Sequence, residues 1–365
     1  MSDSPAYDKA TLAWELPWQD DWVTACTFVG PQRKLAAGNR RGDILLWDLP
    51  AEPGAERPLP VRRLEGHTNE ITRLVATPDG KTLISASYDH TIRFWDMNAP
   101  GAGTAEIILD ASDRAAVVKK LGAKAPPPEP GVQVATQTAS QVLTGHPDWI
   151  VGLSLSGDGR TLLSGDDAGN VIVWDTASAQ ERRRWQVTRW VFGMALSPDG
   201  QTALVAERFP LVFTPADHHR GAKLWDVATG EVLHDLTKLL DKVYIGAAAF
   251  SPDGKLLALG QGNETSKGKL FLIDPATGEQ IRELAGHAPG GVHDVRFSAD
   301  GKTLFSCGRD TMLRVWNVED GQQLAEVGKP RGGQFKDIWH ALGLSADEHW
   351  LAAADMSGLV AVYHA

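Results

Sequence analysis

From Trp47 to His364 the chain returns seven times to one short unit, and that return limits its possible folds more than any other feature. The clearest copy runs from Gly66 to Asp96 and reads GHTNEITRLVATPDGKTLISASYDHTIRFWD. A Gly-His pair opens it. An apolar run, Ile71 to Thr77, leads into the tight turn Pro78-Asp79-Gly80-Lys81. A second run, Thr82 to Ser87, is followed by a turn around Asp89 and a third run ending in Trp95-Asp96. Short apolar runs punctuated by Pro-Asp-Gly and Asp-containing turns predict an antiparallel meander, because these residues supply the backbone angles that tight reversals require.

The turn between the first two runs recurs as Gly157-Asp158-Gly159, Pro198-Asp199-Gly200, Pro252-Asp253-Gly254 and Ala299-Asp300-Gly301. It is degraded at Gly30-Pro31-Gln32 and Ala346-Asp347-Glu348. The closing Trp-Asp recurs at Trp47-Asp48, Trp174-Asp175 and Trp225-Asp226, and weakens to Ile273-Asp274, Trp316-Asn317 and Tyr363-His364. Successive ends are 48, 79, 51, 48, 43 and 47 residues apart. The 79-residue interval signals an insertion, at 97–139. A fixed period of this length means stacked supersecondary units that share one core.

The Gly-His to Trp-Asp unit resembles a WD40 repeat, and the resemblance covers nearly the whole chain. It implies an all-β fold, a seven-bladed propeller of four-stranded antiparallel blades. It also implies structural tetrads of His, Ser, Asp and Trp. His67, Ser85, Asp89 and Trp95 match in full, as do His287, Ser306, Asp310 and Trp316. His146, Ser164 and Trp174 match in part, with Ala168 at the acid's place. In this family the sequence repeat is offset from the blade. The isolated strand at Thr11 to Leu16 is therefore expected to complete the last blade, whose own run stops at Leu359 to Tyr363. Residues 1–10 read as a flexible tail, and 11–365 as one propeller.

Composition narrows the function classes. The hydrophobic fraction of 42% suffices for a core, and no run approaches the ~18 apolar residues of a membrane helix. The start, MSDSPAYDKA, has neither the basic flank nor the apolar core of a secretory leader. Cys26 and Cys307 fall within expected strands and read as buried thiols in preference to a disulfide, which points to a reducing cytoplasm. A net charge of -10 argues against a nucleic-acid backbone as the main partner. Arg182-Arg183-Arg184 is a local basic run that reads as a solvated outer strand.

Three segments depart from the period. Within 97–139, Ala111 to Leu121 is expected to form a short helix, ahead of the stiff Pro-rich stretch Ala125 to Pro130. This insertion is either a docking element or a tolerated surface loop. Glu207 to Gly221 carries Phe209, Leu211, Phe213 and Asp217-His218-His219, and Gln261 to Gly268 is polar. The Asp-His-His run would need a further ligand such as His293 or His340 to hold a metal, so no metal is assigned.

The candidate functional residues come from counting back eight places from each first turn. The positions are Trp22, Glu70, Trp149, Trp190, Tyr244, Gly291 and Ile338, with Trp339 one place on. The chain has 13 tryptophans, of which five fill the Trp-Asp slot; Trp22, Trp149, Trp190 and Trp339 fall at or beside the rim. The residue before each second turn adds Arg40, Tyr88, Asp167, Arg309 and Met356, and Phe192 lies two places after Trp190. Trp, Tyr and Arg dominate binding hot spots. The reading is a non-catalytic scaffold holding a protein or peptide on an aromatic-rimmed top face, alone or inside a larger complex. The competing reading of the same rings is local packing over neighbouring loops. No nucleophile elbow, Walker loop or haem-attachment motif occurs, and no cofactor is expected. The alternative is an enzyme or small-molecule binder at the channel mouth, with Asp20, Asp21, Asp148, Asp241, His293 and His340 as available groups. An anionic ligand on Arg40, Arg41, Arg189, Lys242 and Arg309 ranks last.

Overall fold

Seven sheets arise from thirty strands in the computed structural model, which describes residues 5–18, 22–109, 130–188, 190–208, 221–240, 244–262, 268–284, 287, 291–328 and 339–365. The expected helix at 111–121, the Pro-rich stretch, and Asp217-His218-His219 lie outside these residues. Blade 1 is built from β2 (Val23–Val29), β3 (Lys34–Asn39), β4 (Ile44–Asp48) and β5 (Pro60–Glu65). Blade 2 follows with β6 (Ile71–Ala76), β7 (Thr82–Ser87), β8 (Ile92–Asp96) and β11 (Gln141–Leu143). Blades 3 to 6 each take four consecutive strands, β12 to β27, between Ile150 and Val327. Blade 7 holds β28 (Trp339–Leu344), β29 (Trp350–Asp355) and β30 (Leu359–His364), and its fourth strand is β1 (Thr11–Pro17) from the other end of the chain.

The inner strands β2, β6, β12, β16 (Trp190–Leu196), β20 (Ile245–Phe250), β24 (Val292–Phe297) and β28 touch in that order, and β28 returns to β2. The ring is therefore closed, and its closure within blade 7 is the antiparallel β1–β30 ladder. Trp14 of β1 is buried, lies flat on Trp350 at 5.1 Å and donates its indole N–H to the Gly54 carbonyl at 3.2 Å. Residues Tyr7–Lys9 form one 3-10 turn, and the buried Tyr7 ring packs edge-on against Phe305 at 5.0 Å.

What joins blade to blade is a large residue against a small one. The first residue of each inner strand is buried, or in β16 the second: Val23, Ile71, Ile150, Val191, Ile245, Val292 and Trp339. The preceding blade's second strand presents Gly38, Ala86, Gly165, Ala206, Gly260, Cys307 or Ala354 at that seam. A Cβ on Gly38 would lie 2.6 Å from the Ile71 methyl, so the close approach excludes any side chain there. Immediately after that first pair every inner strand carries a β-bulge. The extra residue is used across the seam in places: the Thr72 hydroxyl donates to the Ile150 carbonyl at 2.7 Å. Both cysteines are free and buried. Burial pushes the Cys26 thiol up to about 12, and it raises Cys307 well above the ordinary thiol range.

The insertion turns away from its own blade. After β8 it forms β9 (Gly103–Ile107) and β10 (Val132–Thr138), which pair antiparallel with each other. β10 then lies parallel to β5, so blade 1 becomes a six-stranded sheet. Ile107, Leu109 and Val134 join the blade 1 core. The buried Gln137 amide donates to the Asp96 carbonyl at 2.8 Å and accepts from Arg62 at 2.7 Å, tying blade 2 to blade 1. Among the described residues no helix is long and apolar enough to cross a membrane.

Candidate functional site

The structural tetrads are continuous hydrogen-bond chains. In blade 2 the Trp95 indole N–H donates to Ser85 Oγ at 2.9 Å. Ser85 Oγ lies 2.7 Å from His67 Nε2, and His67 Nδ1 lies 2.8 Å from Asp89. Blade 6 repeats this with Trp316, Ser306, His287 and Asp310. Burial lowers the His67 pKa despite the opposing carboxylate. Burial alone would raise Asp89, but bonds from His67, Thr91 and the Thr68 amide hold it well below the usual carboxylate range. A neutral imidazole donating to an ionised carboxylate follows, which suits a rigid strut.

Blade 3 corrects one expectation. Its tetrad is complete: Trp174, Ser164 and His146 are joined by Asp166, 2.8 Å from His146 Nδ1. The acid comes from the last residue of the second strand, two places before Ala168. Its other oxygen accepts the Asn170 amide, which closes the turn that Asp89 closes in blade 2. In blade 4, Val205 takes the serine's place, and Trp225 Nε1 has no partner among the described residues.

The rim is set by backbone register. In five blades the residue ahead of the inner strand accepts a bond from the residue that follows the second strand. These pairs are Trp22 with Arg40, Glu70 with Tyr88, Trp149 with Asp167, Tyr244 with Gly262, and Gly291 with Arg309. In blade 4, Trp190 pairs with Arg208 in the ladder itself. Both members of each pair sit at the same end of their blade, where the turns leading into the inner strands emerge.

Side chains link these rim pairs across the seams. The Arg40 guanidinium lies over the Trp22 ring at 4.5 Å and 4.0 Å from Glu70 of the next blade. Tyr88 of blade 2 stacks on Trp149 of blade 3, with ring centroids 4.8 Å apart. Burial raises the Glu70 pKa, against the pull of Arg40 and Arg73. Trp149 and Trp190 are 46% and 39% exposed, while Trp22, Tyr88, Tyr244 and Arg309 are half-buried. Phe192 is half-buried, with its ring beside Gly246 of the next blade.

Trp339 does not belong to this face. It is 1% exposed and pairs with Asp355, which places it in the seam ring with Ile71 and Val191. The rim position of blade 7 is Ile338, which lies outside the described residues, as do Asp20, Asp21, Arg189, Asp241 and Lys242. Arg182 and Arg184 lie on the exposed outer strand of blade 3, paired with Asp175 and Glu181. Among the described residues no cluster of His, Cys, Asp and Glu fits a metal ion.

The profile of the family described as "WD domain, G-beta repeat" matches residues 58–96, 137–175 and 278–317. Each match starts at or near the outer strand of one blade and ends on the third strand of the next, which is the expected offset. The three matched stretches are thus WD40 repeats, in a chain whose seven four-stranded blades follow the same plan. The chain is similar to apoptotic protease-activating factor 1 of Rattus norvegicus, 26% identical over 307 residues, 82% of this chain and 20% of that protein. Autophagy-related protein 16 of Arabidopsis thaliana is 27% identical over 304 residues, 82% of this chain and 48% of that protein. Target of rapamycin complex subunit LST8 of Saccharomyces cerevisiae is 30% identical over 82 residues, 22% of this chain and 27% of that protein. The chain thus spans less than half the length of these curated relatives.

Proposed function

We propose that this propeller is a non-catalytic scaffold that holds a protein or peptide on the rim of blades 1 to 4. The observation that carries the reading is the linked series Trp22, Arg40, Glu70, Tyr88 and Trp149, with Trp190 beyond it. Most other tryptophans of the chain are buried in blades or seams, whereas Trp149 and Trp190 stand exposed. Large rings already held by neighbours lose little conformational freedom on binding, which is what an anchor requires. Tyr244 and Arg309 extend the surface, and Phe192 lines its inner margin. One relative is named as a subunit of a complex, which fits a chain that works in an assembly. A cytoplasmic setting agrees with two buried free thiols.

The test is affinity capture from native lysate with wild type and a Trp149→Ala/Trp190→Ala double variant of matching melting temperature. A defined protein retained by wild type and released by the variant is the expected result. Equal retention by both, or retention by neither, removes the rim from consideration.

A further inference from the structure

The central channel contains a cavity of about 270 Å³ with a charge pattern that the rim reading does not use. Its walls are mostly aliphatic or small, but Arg73, His293, Asp294 and Arg296 reach it from blades 2 and 6. Arg73 donates to the Thr72 carbonyl at 2.8 Å and, among the described residues, forms no ion pair within 4.0 Å. Arg296 stands 3.5 Å from Asp294, and its buried Nε has no partner among the described residues. Asp294 is already committed. Its two oxygens accept the Val295 and Leu342 amides, each at 2.9 Å. The two guanidinium groups therefore face one carboxylate whose lone pairs are largely taken. Beside them the His293 and His340 rings meet edge to face at 5.0 Å, and the buried His340 Nε2 has no partner among the described residues.

Two guanidinium groups that share one hydrogen-bonded carboxylate leave a net positive charge at the cavity wall. A small anion supplies the missing counter-charge. Arg73 and Arg296 outnumber Asp294, so the cavity wall is positive in a chain whose net charge is -10. Guanidinium groups suit oxyanions, since their planar donors match two oxygens at once.

We propose that the channel binds a small oxyanion, a phosphate or the carboxylate of a small polyacid, between Arg73 and Arg296 with the His293/His340 pair at its side. The site's residues lie on the inner strands, with Arg73 within electrostatic reach of the rim residue Glu70. The volume suits an ion of phosphate to citrate size. An acidic side chain delivered by a protein partner would present the same chemistry, so the experiment separates the two sources.

Isothermal titration of the full chain with inorganic phosphate, citrate and an oligoglutamate peptide, at constant ionic strength set by chloride, provides the test. Saturable 1:1 binding of phosphate or citrate, weakened at least 10-fold by Arg73→Met and unchanged by Arg182→Gln on the outer strand, is the expected result. Arg296→Gln serves as the second variant should Arg73→Met not match the wild-type melting temperature. If neither folds, the imidazole proton signals of His293 and His340 in unmodified protein decide, since saturating phosphate must shift them. No binding, binding of the peptide alone, equal binding by the Arg73 variant, or unmoved imidazole signals would overturn the proposal.

Discussion

Replacing Trp14 with alanine should open the ring at its weakest covalent point. Blade 7 takes its fourth strand from β1, in which Trp14 and Leu16 are the buried side chains. Trp14 is 5% exposed, stacks on Trp350 at 5.1 Å and donates to the Gly54 carbonyl. Removing a buried tryptophan costs about 3–5 kcal/mol, a figure that already contains the stacking and the cavity left behind. At about 2–4 °C per kcal/mol for a chain of this class, the melting temperature should fall by roughly 6–20 °C. Leu12 of the same strand is 48% exposed, and Leu12→Ala should change stability by less than about 0.5 kcal/mol. Calorimetry measures both, and hydrogen exchange of the Val360 to Val362 amides locates the change in β30. A Trp14→Ala protein that melts within about 2 °C of wild type, with β30 still protected, would show that closure does not rest on this strand.

Gly38→Ala places a Cβ 2.6 Å from the Ile71 methyl and should cost about 1–3 kcal/mol. Adding Ile71→Ala should cost less than the two separate losses summed, which a double-mutant cycle in urea would show. Ser306→Ala leaves Trp316 Nε1 and His287 Nε2 without their shared partner and should destabilise by about 1–3 kcal/mol in denaturant titration. Burial, His293 and Arg73 hold the folded His340 pKa down to about 3. The unfolded chain therefore takes up a proton near pH 6.5 that the folded chain refuses, and stability falls as pH drops from about 6.5 to 3. The slope is about 1.4 kcal/mol per pH unit, roughly 2 kcal/mol by pH 5. His340→Leu should flatten the melting profile over that range, and an unchanged slope would exclude His340 as the cause.

How much of this was legible follows from the distance over which each signal acts. Turn chemistry and short apolar runs are local, so β7 was expected at Thr82–Ser87 and is found there. The tetrads of blades 2 and 6 were legible because their four members keep fixed spacings. The acid of blade 3 was missed because Asp166 comes from the strand end, one of several polar residues at that register, Asn39, Ser87 and Asp355 among them. Trp339 was placed on the rim by residue type. Counting register alone would have put it in the seam with Ile71. The parallel pairing of β10 with β5 brings together residues some 73 apart, as Ala135 with Arg62, and no local pattern announces it. The channel charges were invisible for the same reason, since Arg73 and Arg296 meet only after the ring has closed.

A ring of wedges yields first where only side chains hold neighbours together. The β10–β5 ladder gives the joint between blades 1 and 2 a second set of bonds at its outer radius, besides the packing of Ile71 on Gly38 at the inner one. Blades 1 and 2 are consequently held to each other at both radii. Trp22, Arg40 and Glu70 stand on that pair of blades. A partner docking there meets a surface whose geometry is fixed in advance, and it forfeits little binding energy in bringing the blades into line.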